Sequence, residues 1–221
     1  MEPKFWHERW RSGQIGFHQS AVDRNLTRHW PSLHLAGGSR VFVPLCGKSL
    51  DMLWLRDQGH RVIGVELSAT AVEAFCMENG IPARRRVQED FDVYEAADLE
   101  LYRGDFFGLT SAMLGAVAAV YDRAALISWS PELRAPYALH MAALMSAGTQ
   151  LLLVTLEYRE AQMSGPPFSV HGAEVRRLYS PHFKIEEISR EDVSAAETRM
   201  RSTRGVTELF EVCYRAVRLS S

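Results

Sequence analysis

Cysteine is scarce. Cys46, Cys76 and Cys213 are the three thiols in 221 residues, far apart and without a Cys-x-x-Cys pair. An odd count at such spacing cannot make a disulfide frame, so a reducing, cytoplasmic setting is expected. Excess charge of one sign is also lacking: 25 Lys and Arg nearly balance 27 Asp and Glu, for a formal charge of −2. That balance leaves no polybasic footprint and argues against long nucleic acids or anionic membranes as partners. No export leader is expected, because Met1 to Trp10 carry charges and tryptophans where a leader needs a basic start and then an apolar run. The longest stretch free of Lys, Arg, Asp and Glu, residues 135–156, contains Pro136, His140, Ser146, Gly148, Thr149 and Gln150. It reads as a helix, a glycine stop and a buried strand, not as a membrane span. The histidines show no His-Glu-x-x-His spacing, so no metal is expected. Internal repeats and low-complexity linkers are missing too, which leaves the organisation to periodicity.

What is present is ordinary for a globular chain: 47% hydrophobic and 24% charged residues. Folding at this size buries about 70% of the unfolded surface, enough for one core and too little for two full domains. Residues 1–221 are therefore expected to form a single domain, with 1–36 as an N-terminal cover over an α/β core, 37–221. Arg40 to Leu45 and Arg61 to Leu67 are short apolar runs of the kind buried on both faces of a parallel sheet. Between them Ser49 to Gln58 predicts a helix with Leu50, Leu53 and Trp54 on its apolar face and Gly59 as its stop. Ser68 caps a second helix with Val72, Phe75 and Cys76 inward, closed by Asn79 and Gly80. The alternation continues with a strand at 116–121, a helix from about Pro131 to Met145, and a strand at 150–157. Residues 184–189 and 208–217 predict an antiparallel hairpin at one edge. Arg84 to Arg86 read as a solvated basic run, and within the hard-to-place residues 89–109 Leu99 to Arg103 reads as an extra strand or as irregular. The expected architecture is a doubly wound α/β fold with a mostly parallel, seven-stranded sheet, an antiparallel edge hairpin and an N-terminal helical lid.

In such a sheet the ligand lies beyond the carboxyl ends of the strands where strand order reverses. The loop after the first strand is Leu45-Cys46-Gly47-Lys48-Ser49. Its Gly-Lys-Ser matches the tail of a phosphate-binding loop, but the glycine required five positions before Gly47 is Phe42. The dinucleotide fingerprint Gly-x-Gly-x-x-Gly is missing as well, which disfavours NAD and FAD. Glu66, at the end of the second strand and 19 residues after Gly47, is placed to accept hydrogen bonds from both hydroxyls of a ribose. A cofactor with a ribose and no phosphate, such as S-adenosylmethionine, removes the need for a glycine-rich turn. The competing role for Glu66 is to cap the following helix. Arg123 follows the next strand and offers a permanent cation for a carboxylate or an anionic acceptor, or else pairs with Asp122 in solvent. Trp6 and Trp10 share a helical face and precede Gly13, Gly16, Phe17 and His18. This aromatic segment serves either as core packing or as a lid over a flat ligand.

Several blocks together resemble the thiopurine S-methyltransferase family. They are Trp6 to Gln19, Val41 to Ser49 (VFVPLCGKS), Gly59 to Glu66 (GHRVIGVE), Tyr121 to Leu126 (YDRAAL) and Gly165-Pro-Pro-Phe168. The resemblance implies a class I, S-adenosylmethionine-dependent methyltransferase acting on the sulfur of aromatic and heterocyclic thiols such as 6-mercaptopurine. It implies a small-molecule thiol substrate, no nucleic-acid or membrane partner, and a monomer. Carried over to this chain, the cofactor-binding set is Trp10, Leu45, Gly47, Glu66, Asp105, Phe106 and Arg123, with Glu66 on the ribose and Asp105 and Phe106 flanking the adenine. Phe17 and Arg123 form the substrate side, and Arg123 is the catalytic candidate, close enough to favour the acceptor anion. The family's further C-terminal arginine corresponds to one of Arg199, Arg201 and Arg204. The chain lacks the Asn/Asp-Pro-Pro-Tyr loop that amino-directed methyltransferases use. Bacterial relatives also imply selenium or tellurium species as acceptors. The rival readings are a methyltransferase whose main acceptor is another small molecule, selenium and tellurium species included, and a nucleoside-binding regulatory module without an acceptor site.

Overall fold

A computed structural model describes residues 3–196, 200, 202 and 204–220. The chain folds as two compact units, residues 2–121 and 122–221. The first begins with helix α1 (Pro3–Arg11), a short α2 (Arg24–His29) and a 3₁₀ turn at Trp30–Leu33. Asp23 starts α2 by accepting the N–H groups of Asn25 and Leu26, and Trp30 donates its indole N–H to His60 at 3.1 Å. There follow β1 (Arg40–Val43), α3 (Asp51–Asp57), β2 (Arg61–Glu66) and α4 (Ala69–Glu78). An antiparallel meander comes next, made of β3 (Arg84–Gln88), β4 (Phe91–Ala96) and β5 (Leu99–Arg103). The short α5 (Ser111–Leu114) then leads into β6 (Ala119–Arg123), whose first three residues close this unit.

Within this unit the strand order is β3-β4-β5-β2-β1-β6. β1 runs parallel to β2 (Val41↔Val62) and to β6 (Val41↔Ala119), and β2 runs parallel to β5. The chain thus starts at β1, moves outward through β2, and returns to the other side of β1 at β6. That reversal is the topological switch point. The apolar runs behave as their sequence requires. Val41, Phe42, Val62, Ile63 and Val65 are all at most 1% exposed, each worth about 1.5–3 kcal/mol of burial. Ser68 accepts the Ala71 N–H and starts α4, as a cap should.

The second unit contains α6 (Pro131–Leu144), β7 (Gln150–Glu157), α7 (Gly172–Tyr179), β8 (Phe183–Asp192) and β9 (Phe210–Arg218). Its strands lie in the order β7-β9-β8, with β9 antiparallel to both neighbours, so the late hairpin forms as expected. No helix among the described residues is long and apolar enough to cross a membrane.

Three local expectations change. Nine strands occur among the described residues where seven were expected, and the two additional ones are β3 and β4. The basic run Arg84 to Arg86 stays largely solvated, as expected, but it also forms part of β3: Arg85 pairs with Asp92 at 2.7 Å, and Arg86 pairs with Glu95 and, at 2.9 Å, with Glu100. Cross-strand neutralisation turns these arginines into an edge strand. Finally, α3 buries Met52 and Leu55 with Asp51, while Leu50, Leu53 and Trp54 are only partly covered. The buried Asp51 carboxylate sets that rotation by accepting the Asp23 N–H at 2.8 Å.

Candidate active site

The turn after β1 departs at once from extended backbone. Leu45 has φ 47° and Gly47 φ 54°. A left-handed branched residue is uncommon and is held only where its surroundings insist on it. Here the Cys46 N–H is bonded to the Val65 carbonyl at 2.9 Å, which draws the turn alongside the end of β2. Glu66 is the last residue of that strand. One of its oxygens accepts the Gly47 N–H at 2.9 Å, and the other accepts the Ser68 N–H at 2.7 Å. A single side chain thereby ties the β1 turn to the entrance of α4.

The electrostatics follow from that placement. Glu66 is 7% exposed. Loss of water pushes its pKa up to about 7, against the opposing pull of the Ser68, Gly47 and Leu67 N–H groups. The same burial, with the Glu66 charge beside it, drives the Cys46 thiol well above its ordinary range, which makes it an inert packing group. A carboxylate offers about four lone-pair positions, so acceptor capacity remains after two backbone bonds. Hydroxyl donors of a ribose match that remainder. The bond to Ser68 lies at the start of α4, so the capping role considered for Glu66 is present, and it leaves acceptor capacity on the carboxylate.

The end of β5 joins the same group. The Gly104 N–H donates to the Glu66 carbonyl at 2.9 Å. A Cβ on Gly104 would stand 2.4 Å from the Phe91 ring, so only glycine permits this approach. Asp105 then caps a 3₁₀ turn by accepting the Phe107 N–H at 3.0 Å. Phe106 is buried beneath it, and Phe107, 36% exposed, meets Phe106 edge to face at 5.4 Å. A carboxylate and an aromatic face at this point have the chemistry to flank an adenine.

The N-terminal aromatics close the first unit's part of the site. A Cβ on Gly47 would lie 3.1 Å from the six-membered ring of Trp10, so the indole packs directly on that turn. Phe17 meets Trp10 at 5.5 Å and Trp6 at 5.7 Å between ring centroids, both edge to face. Trp10 is buried whereas Phe17 is only half-buried. Packing and lid were the alternatives for this segment; Trp10 takes a packing part, and Phe17 stays half-buried between Trp6 and Trp10.

Trp10, Phe17, Leu45, Gly47, Glu66, Asp105 and Phe106 all belong to the unit 2–121. Arg123 belongs to the second unit, as the last, half-buried residue of β6 before Ala124 at φ 62°. Asp122 is 0% exposed, which excludes the solvated Asp122–Arg123 pair considered from the sequence. Of the three C-terminal arginines, Arg204 donates to the Pro166 carbonyl at 2.9 Å, on the Gly165–Phe168 loop. Arg199 and Arg201 lie outside the described residues. Sequence reasoning missed the Gly47 N–H as a partner of Glu66, Gly104 as a backbone tie, and the exposed Phe107. The first two act through backbone N–H groups, which leave no mark in side-chain chemistry.

Comparison with known proteins agrees with this geometry. The family described as thiopurine S-methyltransferase (TPMT) matches residues 1–218. The thiopurine S-methyltransferase of Pseudomonas fluorescens (strain Pf0-1) is 48% identical over 215 residues, covering 97% of this chain and 98% of that protein. That of Nitrosospira multiformis is 46% identical over 211 residues, covering 96% of each. A solved structure with the same fold is the Burkholderia thailandensis 1,6-didemethyltoxoflavin-N1-methyltransferase with bound 1,6-didemethyltoxoflavin and S-adenosylhomocysteine. It superposes with a TM-score of 0.63 at 14% identity over 99% of this chain and 87% of that one. The switch-point turn, the acid ending β2 and near-complete matches along the sequence lead to one conclusion: this chain belongs to the thiopurine S-methyltransferase family, and it is a methyltransferase of the class I fold whose methyl donor is S-adenosylmethionine.

Proposed function

We propose that this enzyme methylates the sulfur of aromatic and heterocyclic thiols such as 6-mercaptopurine, with the site residues inferred from the sequence in the roles given there. The observation that carries the reading is the meeting of two kinds of surface within one unit. A buried carboxylate with acceptor capacity ties down the β1 turn, and an aromatic cluster with one half-buried ring packs on that same turn. The first suits a ribose and the second a flat acceptor.

When bound, S-adenosylmethionine supplies a methyl group already activated by the sulfonium charge. Glu66 holds the ribose hydroxyls, Leu45 and Gly47 shape the turn beneath, and Trp10 walls it. Asp105 and Phe106 border the adenine. Phe17 stacks on the acceptor ring, and Arg123 favours its thiolate. An aromatic thiol near neutral pH is already partly ionised, so its proton leaves to solvent and no strong base is required of the chain. Alignment is the main task, and such alignment can be worth about 7–11 kcal/mol. The same reading has residues 1–221 acting as one domain, monomeric and cytoplasmic, with residues 1–36 covering a small-molecule site. Selenium and tellurium nucleophiles are softer than thiolates and suit the same in-line geometry.

The test is product analysis by mass spectrometry after incubation with S-adenosylmethionine and matched acceptors: 6-mercaptopurine, thiophenol, phenol and a selenol. Methylated sulfur and selenium products, with none from phenol, are expected. Cofactor binding without a methylated product from any thiol would contradict the proposal and leave a nucleoside-binding module.

A further inference from the structure

We propose that the Asp122 carboxylate is a positioning residue for Arg123: it fastens the turn after β6 so that the guanidinium leaves the strand in one direction. This rests on the reading of Arg123 as the acceptor-side cation. Asp122 is completely buried. One oxygen accepts the phenolic O–H of Tyr137, on α6, at 2.7 Å, and the other accepts the Leu126 N–H at 3.1 Å. The bond to Leu126 closes the turn around Ala124, whose φ of 62° reverses the chain immediately after Arg123. Arg123 therefore sits between two fixed points, an anchored carboxylate before it and a left-handed residue after it.

The turn is tied onward as well. Ser128 donates its N–H to the Ala125 carbonyl at 3.0 Å, and the Phe168 N–H reaches the Ile127 carbonyl at 2.7 Å, so the Gly165–Phe168 loop hangs on the same turn. The titratable groups around Asp122 are the buried phenols of Tyr137 on α6 and Tyr179 on α7, both pushed upward by burial and by the Asp122 charge. Burying a carboxylate among neutral donors is a costly way to hold a turn. Hydrogen bonds to a charged acceptor are shorter and stiffer than neutral ones, and stiffness is what positioning a neighbouring cation requires.

Selectivity between substrates tests this in the full-length enzyme. Values of kcat/KM are measured for an aromatic thiol that is anionic at the assay pH and for one that is neutral. Arg123→Ala is expected to lower the anionic-to-neutral ratio about tenfold or more, and Asp122→Asn about three- to tenfold. Adding Asp122→Asn to Arg123→Ala should move the ratio no further, because both act through one group. Tyr137→Phe should shift the ratio in the same direction by a smaller factor, and it carries the test if Asp122→Asn fails to fold by circular dichroism. Equal losses for both thiols in Asp122→Asn or Tyr137→Phe, or an unchanged ratio, would overturn the positioning role while leaving Arg123 in place. An unchanged ratio in Arg123→Ala would overturn the reading of Arg123, and the proposal with it.

Discussion

At the scale of single residues, the proposed ribose role of Glu66 predicts that capture of the methyl donor depends on pH. Its burial places the pKa at about 7, and ribose hydroxyls donate to the ionised form. Below that value a bound proton occupies acceptor capacity the ribose needs. Affinity for S-adenosylmethionine should therefore be flat above pH 7 and weaken as pH falls through it, approaching tenfold per unit. Glu66→Gln should bind about ten- to 150-fold more weakly at pH 8, the scale of hydrogen bonds to a charged group, and should lose the pH slope. Isothermal titration calorimetry between pH 5.5 and 8.5 checks both, and the same slope in the variant would remove Glu66 from the binding step. Glu66 was legible in the sequence because a lone glycine turn and an acid 19 residues later form a recognisable pair. Asp122 was not. Nothing in Tyr-Asp-Arg tells whether the carboxylate faces solvent or a tyrosine 15 residues further on.

Between elements, close approach decides what the sequence can hide. Gly64 lies inside β2, where a Cβ would come within 2.7 Å of the Cys46 sulfur, 2.8 Å of Leu101 and 3.2 Å of the Met52 sulfur on α3. The lack of a side chain lets the β1 turn and α3 settle on the strand that delivers Glu66. Gly64→Ala should cost about 1–3 kcal/mol of stability, the usual penalty of overpacking, measured as a lower denaturation midpoint at unchanged slope. Stability equal to the parent would show that the packing is looser than described. The face of α3 was misread for a related reason. Four of its seven residues are Met, Leu or Trp, so periodicity offers more than one apolar side, and the choice falls to the distant bond between Asp51 and Asp23.

Taken over the whole molecule, strands buried on both faces were the easiest to find, since continuous apolar runs such as Val41 to Val43 leave few alternatives. The β3–β4 meander escaped notice because β3 is a charged, largely exposed strand whose partners are acidic side chains on its neighbours. Asp92 joins Arg85 of β3 and Arg103 of β5, and Glu95 and Glu100 take Arg86. Charge complementarity across strands is invisible to a hydrophobic pattern. The doubly wound α/β class was legible by contrast, because alternation of apolar strands and capped helices restricts the topology. The most direct measurement is a crystal structure of the enzyme with S-adenosylhomocysteine and 6-mercaptopurine. It should show both ribose hydroxyls within hydrogen-bond distance of the Glu66 carboxylate and the purine ring against Phe17. An adenosyl group bound elsewhere, or a Glu66 carboxylate facing away from the sugar, would contradict the account.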